Sequence, residues 1–376
     1  MKTQDFVCAC AALAALGCAA DAPSPDGETA EDTLPVTVAD GLNGPMGVLV
    51  DDDGNVWIAE SGTGGEQETM SPIPGGNGPV AVRYGATARI LRIAPDGSIR
   101  EEAVLPSFML GDQPYGAAGL AIVDGVLYAS SGGRVEGASG ERLPNVAAVV
   151  RVADGQVTEV ANTWDIERSE NPAGAVVETN PWGLAAGPDG MLWLADAAGN
   201  TLWRIDPASG ALQLAAVFEA MPGPIPNPAR GGALEIEPVP TGVAVGGNGE
   251  VFVSLLPGMP FLPGSAKVVR VSADGVVSDH ATGLTMLTDL AVGPDGRLYA
   301  VSLGEFTERG PTPNSGAVLR IGPDTTSEAV LSGLSAPTAI AFDRDGNAYV
   351  TLNGAGPPGT GRVMRYPGVA RRSGAR

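Results

Sequence analysis

The residues of this chain best suited to chemistry are three carboxylates, Glu60, Asp196 and Asp289, and two aromatics, Tyr115 and Trp182. Glu60 closes the apolar run Val56-Trp57-Ile58-Ala59, Asp196 closes Leu192-Trp193-Leu194-Ala195, and Asp289 opens Leu290-Ala291-Val292. Carboxylates at strand ends supply the hard oxygen donors that Ca²⁺ or Mg²⁺ takes, and Asn353 or Asn180 would add an amide carbonyl. The same acids in the same places also cap turns by accepting backbone N–H groups, and no dense Asp-x-Asp-x-Asp-Gly run decides between the two uses. Tyr115 and Trp182 offer a stacking platform for an aromatic or sugar-like ligand, or else plug a central channel. Thr241, Thr338 and Asn353 complete the candidate ligand contacts.

Other chemistries lack their residues. His280 is the one histidine, set in Ser278-Asp279-His280-Ala281-Thr282 where an outermost strand is expected, so it reads as a surface residue rather than a base. A serine hydrolase would have only that histidine to draw on. Neither a Gly-x-Ser-x-Gly elbow, a His-Glu-x-x-His helix, a Walker A loop nor a strand-to-helix dinucleotide loop occurs. With 43 acids against 22 bases the net charge is −21, which argues against nucleic acid as a partner, since duplex binding needs a basic footprint.

The elements that must position these residues follow from a pattern that recurs six times. Each copy has a Pro/Gly-rich start, a small apolar strand, an Asp-Gly or Asn-Gly turn, a strand with a central aromatic, and an apolar-Arg-apolar strand. The turns fall at Asp53-Gly54, Asp124-Gly125, Asp189-Gly190, Asn248-Gly249, Asp295-Gly296 and Asp345-Gly346, followed by Trp57, Tyr128, Trp193, Phe252, Tyr299 and Tyr349. The third strands include Ile90-Leu91-Arg92-Ile93, Val268-Val269-Arg270-Val271 and Val363-Met364-Arg365-Tyr366. A fourth strand follows most copies. The last copy lacks one, and Pro35-Val36-Thr37-Val38-Ala39 can supply it. The expected fold is therefore an all-β six-bladed β-propeller of four-stranded blades, its ring closed by the N-terminal strand, which removes exposed sheet edges. The long connections, Ser61 to Ala88, Ser130 to Ala147, Ala161 to Asn180, Val217 to Pro238, Leu255 to Ala266 and Leu303 to Gly316, all emerge on one face, where binding of a small molecule or protein is expected.

Residues 1–17 read as an export signal, with an apolar run from Val7 to Gly17 too short to span a bilayer. Residues 18–34, acidic and rich in Ala, Pro, Glu and Thr, read as a flexible tether. Residues 35–368 form the propeller and 369–376 a basic disordered tail. No later segment is long and apolar enough for a membrane span, and the propeller is expected to be a monomer. Cys8, Cys10 and Cys18 are the only cysteines, so a chain cut at Cys18 has no thiol chemistry beyond that residue.

Ala15-Leu16-Gly17-Cys18 resembles the lipobox of bacterial lipoproteins, which implies acylation of Cys18 and an extracytoplasmic, lipid-anchored protein; cleavage after Ala20 would instead make it secreted. The copies resemble NHL-type six-bladed propellers. Gly41-Leu42-Asn43-Gly44-Pro45-Met46-Gly47, Asn180-Pro181-Trp182-Gly183-Leu184, Asp196-Ala197-Ala198-Gly199-Asn200-Thr201-Leu202 and Val239-Pro240-Thr241-Gly242 narrow the resemblance to the ScyD/ScyE family over nearly the whole mature chain. That resemblance implies an exported binding or scaffold propeller. The alternative is a metal-dependent lyase or lactonase of the virginiamycin B lyase or gluconolactonase-like propeller kind. Virginiamycin B lyases use an axial histidine, absent here, and gluconolactonase-like propellers a first-blade Glu where this chain has Asn43-Gly44-Pro45.

Overall fold

Hairpin turns organise the chain. In the computed structural model, which describes residues 34–72, 79–111, 113–133, 142–174, 176–307, 309–322 and 326–371, the glycines of all six repeat turns have positive φ: Gly54, Gly125, Gly190, Gly249, Gly296 and Gly346, between +75° and +82°. A residue with a Cβ is strained there, so the Asp-Gly and Asn-Gly pairs set where each hairpin reverses. In the first, fifth and sixth copies an acid at the turn then ties down the aromatic that follows. Asp51 accepts from the backbone N–H of Asp53 (3.0 Å) and Asn55 (2.8 Å) and from Trp57 Nε1 (2.8 Å). Asp295 likewise accepts from the Arg297 N–H (3.1 Å) and the Tyr299 hydroxyl (2.9 Å).

The described residues contain six antiparallel sheets of four or more strands and two short ribbons. The innermost strands, in chain order, are Pro45–Val50, Ala117–Val123, Pro181–Ala186, Pro240–Val245, Leu287–Val292 and Ile340–Phe342. Each touches the next, and the last touches the first, so the sheets stand in a ring around one axis. Closure comes from strand Val36–Leu42, which pairs antiparallel with Gly361–Tyr366 in the sixth sheet, Thr37 opposite Met364 and Ala39 opposite Val363.

The core is divided between neighbouring sheets rather than pooled. Ala59, Ile90 and Leu105 of the first sheet pack against Leu120, Ala129 and Val150 of the second. At the closing seam, Leu42 and Val363 of the sixth sheet pack against Val48, Ile58 and Leu91 of the first. Burial is the dominant stabilising effect, and it is added seam by seam.

Four long connections carry structure of their own. Ser61 to Ala88 holds the strand Gln67–Pro72 and most of a 15-residue strand, Pro79–Ile93. Val217 to Pro238 folds into the ribbon Met221–Asn227 with Ala233–Ile236, and Leu303 to Gly316 into Phe306–Thr307 with Gly310–Pro311. Ala161 to Asn180 contains the helix Thr163–Glu170. Asn162 Oδ1 accepts from the N–H groups of Trp164 and Asp165, Asp165 favours the positive helix start, and Asn171 ends the helix at φ 41°.

The boundary of the tail is corrected. Ala370 is 1% exposed and its N–H donates to Gly346 O at 2.8 Å, while Val369 O accepts from the Tyr299 hydroxyl at 3.4 Å. Val369 and Ala370 thus belong to the packed fold, because the turn at Gly346 leaves a niche that a small side chain fills. The signal, Cys18, the rest of the tether up to residue 33 and Arg372–Arg376 lie outside the described residues.

Candidate functional site: the axial cavity and Asp289

The inner strands are so close that four of them need glycine at one equivalent position. A Cβ on Gly47 would lie 1.9 Å from Ala118 O, on Gly119 2.5 Å from Trp182 O, on Gly183 2.1 Å from Thr241 O and on Gly242 2.3 Å from Leu290 N. The sixth strand has Ala339 at this position. The fifth has Asp289, and instead of direct backbone approach its Oδ2 accepts from the Ile340 N–H at 2.9 Å.

The strands enclose a cavity of about 850 Å³, running from Met46, Trp182 and Asp289 at the long-loop end to Asp51, Asp52, Asp53 and Asp154 at the short-turn end. Asp289 is partly exposed, but the cavity it lines is walled by apolar inner strands. That loss of hydration raises its carboxyl pKa to about 7, against the lesser opposing pull of the Ile340 and Leu290 N–H groups. It is the one ionisable side chain that the inner strands contribute to the wall.

The other two acids do not join it. Glu60, fully buried, accepts from the Asn43 N–H (2.6 Å) and pairs with Arg89 (2.6 Å). Asp196, 1% exposed, accepts from the Asn180 N–H (2.6 Å), the Gly199 N–H (3.0 Å) and the Thr179 hydroxyl, and burial raises its pKa. Glu60 and Asp196 therefore do the same work in the first and third sheets, each holding the backbone just before the inner strand. Neither lines the cavity, and among the described residues no group of three His, Cys, Asp or Glu is placed to hold a metal ion. The Ca²⁺ or Mg²⁺ site expected from Glu60, Asp196 and Asp289 does not assemble, because two of its members are saturated by local donors.

Thr241 and Thr338 are corrected in the same way, from ligand contacts to latches. Both are 1% exposed. Thr241 Oγ1 donates across the seam to Leu287 O (2.9 Å) and shares a hydrogen bond with Ser254 Oγ (2.9 Å). Thr338 Oγ1 donates to Pro45 O (2.7 Å) and meets Thr351 Oγ1 (2.8 Å). Asn353, at φ 54°, holds a turn by donating to Thr360 O (3.1 Å).

The two aromatics are separated. Trp182 lines the cavity. Tyr115 instead stacks on Phe108, ring centres 4.8 Å apart, in a satellite cluster with Val82, Val146 and Trp164 under the long connections. A joint platform does not form. His280 lies on the outermost strand Val277–Leu284 of its sheet, against Phe252, as expected.

Arg89 escaped the sequence reading although a signal was present. With Trp57 opposite Arg92, counting three residues along each strand puts Glu60 opposite Arg89. Arg230 also escaped it: both its Nε and Nη2 reach Glu237 at 2.7 Å, fastening the ribbon Met221–Ile236. No local pattern marks that pair.

Cyclic sheets around an axial cavity define a β-propeller. Residues 185–354 match the family described as SMP-30/gluconolactonase/LRE-like region, a span that includes Asp196 and Asp289. Three solved structures are similar in fold. One is a putative oxidoreductase (glucose dehydrogenase) from Thermus thermophilus, with 21% identity, TM-score 0.53 and coverage of 89% of this chain and 99% of that one. Another is a gluconolactonase from Xanthomonas campestris, with 15% identity, TM-score 0.54 and 89% of each chain covered. The third is a calcium-binding protein, regucalcin, from Agrobacterium tumefaciens, with 13% identity, TM-score 0.52 and coverage of 90% and 96%. No curated protein matches the chain. The chain thus has the β-propeller fold of these structures, and its residues 185–354 are similar to that family.

Proposed function

We propose that this chain is an exported, lipid-anchored propeller that admits a small molecule to its axial cavity and opens a lactone there, with Asp289 as general base. The observation that carries this reading is the placement of Asp289, a carboxyl at the one point of the inner ring where its neighbours have glycine or alanine. In the reaction, water adds to the lactone carbonyl as Asp289 takes its proton. The ring C–O bond then breaks, and the departing alkoxide recovers the proton, giving one hydroxy acid per lactone and water. A base with a pKa of about 7 is half ionised at neutral pH and suits both transfers. The family match over residues 185–354 and the gluconolactonase fold are in keeping with this chemistry. No step uses a metal, since the three candidate acids do not form a donor set.

The test is acid release from a panel of five- and six-membered lactones. Wild-type protein is expected to open at least one, and Asp289→Asn to lower kcat/KM by about 100-fold or more while keeping the far-UV spectrum. If no lactone is opened above the buffer rate, hydrolysis is wrong. A second reading, a binding module on the ScyD/ScyE pattern with no turnover, is favoured by the commitment of Glu60 and Asp196 to the backbone, which leaves Asp289 without a catalytic partner. It expects Trp182→Ala to weaken retention of a ligand that the protein leaves unchanged.

Export and anchoring rest on Ala15-Leu16-Gly17-Cys18. In a bacterial host, fatty-acid labelling of the full chain is expected, and Cys18→Ala should abolish it; equal labelling of the variant would rule out the anchor. Among the described residues no helix is long and apolar enough to cross a membrane.

A further inference from the structure

We infer that the axial cavity selects uncharged or cationic molecules with apolar bodies and rejects anions and sugars, so that the substrate class is an alkyl or aryl lactone. This rests on the hydrolase reading for the word substrate, but the selectivity stands on the wall itself. One apolar side chain from each inner strand lines the cavity: Ala186, exposed, and Val50, Ile122, Val245, Val292 and Phe342, partly exposed where they come out of the cores between sheets. Among the described residues, the lining contains no Ser, Thr, Asn, Gln or Tyr. Between the carboxylates at its two ends, such a wall has few side-chain partners for the several hydroxyls of a sugar, and a hydroxyl buried without a partner is costly. Apart from the carboxylates at its two ends, the polar groups along its middle are main-chain ones, because each inner strand is the edge of its sheet and leaves part of its N–H and C=O groups unpaired. One or two carbonyl-sized acceptors can be met by such groups.

Charge acts in the same direction. Among the described residues the lining has no Lys, Arg or His, while carboxylates occur at both ends: Asp289 toward the long loops, and Asp51, Asp52, Asp53, Asp154 and Glu102 toward the short turns. Arg92 and Arg100 pair with Glu102, and Arg344 with Asp52, from outside the lining. Those arginines are held by Glu102 and Asp52, so in a protein of net charge −21 an anion entering the channel faces Asp289, Asp51, Asp53 and Asp154 with no cation among the described lining residues. Asp289 would attract a cation directly.

The test is calorimetric binding at pH 8 to four probes: δ-decalactone, its ring-opened 5-hydroxydecanoate, hexyltrimethylammonium and glucono-δ-lactone. The decalactone and the ammonium are expected to bind at least about tenfold more tightly than the hydroxy acid and the sugar lactone. Equal or tighter binding of either of the latter overturns the inference, as does failure of the decalactone and the ammonium to bind. Asp289→Asn should weaken the ammonium about tenfold and leave the decalactone unchanged. Ala186→Arg, at an exposed lining position, should admit the hydroxydecanoate about tenfold better; no gain there also overturns it. Turnover separates this from the hydrolase reading. Decalactone bound but never opened sinks hydrolysis and leaves the selectivity standing, whereas glucono-δ-lactone opened in preference to decalactone sinks the selectivity and leaves hydrolysis standing.

Discussion

Asp289 combines two roles that usually belong to different residues. Its Oδ2 completes the backbone hydrogen bonding of Ile340, and its carboxyl faces an apolar cavity. Its folded pKa of about 7 lies above the ordinary 3.8, so the folded protein holds the proton more tightly than the unfolded chain. The resulting stabilisation is complete below about pH 4 and is lost as pH rises through 7. Asp196, whose pKa is also raised by burial, acts in the same direction. Asp51 and Asp189, whose pKa values are lowered by hydrogen bonds and by Arg204 respectively, act only near or below the ordinary carboxylate range. His280, whose pKa is lowered by burial, opposes them below its ordinary 6.5, but with two buried acids against it, thermal melts are expected to show stability falling between pH 5 and pH 8. Asp289→Asn, which retains an acceptor for Ile340, should remove roughly 2–4 kcal/mol of that fall. Parallel curves for the two proteins would contradict the assignment.

At the level of elements, the seams between sheets depend on hydroxyls that resemble ligand contacts in sequence. A threonine at the start of an inner strand sits beside the serine or threonine of the adjacent strand, and together they reach a carbonyl of the next sheet. The Thr338 latch spans the closing seam, where residues 293 apart in sequence meet. Thr338→Val keeps the shape but leaves Pro45 O and Thr351 Oγ1 short of a partner, at an expected cost of roughly 1–3 kcal/mol in urea unfolding. A change below about 0.5 kcal/mol would mean that water replaces the latch. The acids Glu60 and Asp196 act on the same scale, each fixing the backbone before its inner strand.

For the whole molecule, closure is the decisive interaction. Strand Val36–Leu42 fills the outer position of the sixth sheet, and Leu42 and Ala39 enter the core against the first. Deleting Pro35–Leu42 removes those contacts and exposes the edge of Gly361–Tyr366, an unpaired template for another chain. Such a variant is expected to elute largely as aggregates in size-exclusion chromatography, or to melt far below the parent. A monomer of unchanged melting temperature would show that closure contributes little.

The architecture was legible in the sequence because its signals are local and repeated. Positive-φ glycine after Asp or Asn marks each hairpin, an aromatic follows that binds a turn acid in the first, fifth and sixth copies, and the missing fourth strand of the last copy points back to residues 35–39. The histidine on an outer strand followed from the same count. The helix after Asn162 had its cap and first-turn acid in plain sequence, and Glu60 and Arg89 could be paired by register. What only the tertiary structure decided is which polar residues remain available. Glu60, Asp196, Asp289, Thr241 and Thr338 all occur at strand ends. Their difference lies in whether a neighbouring sheet, distant in sequence, supplies the hydrogen-bond partner or leaves the group facing a cavity, and that depends on how the ring closes.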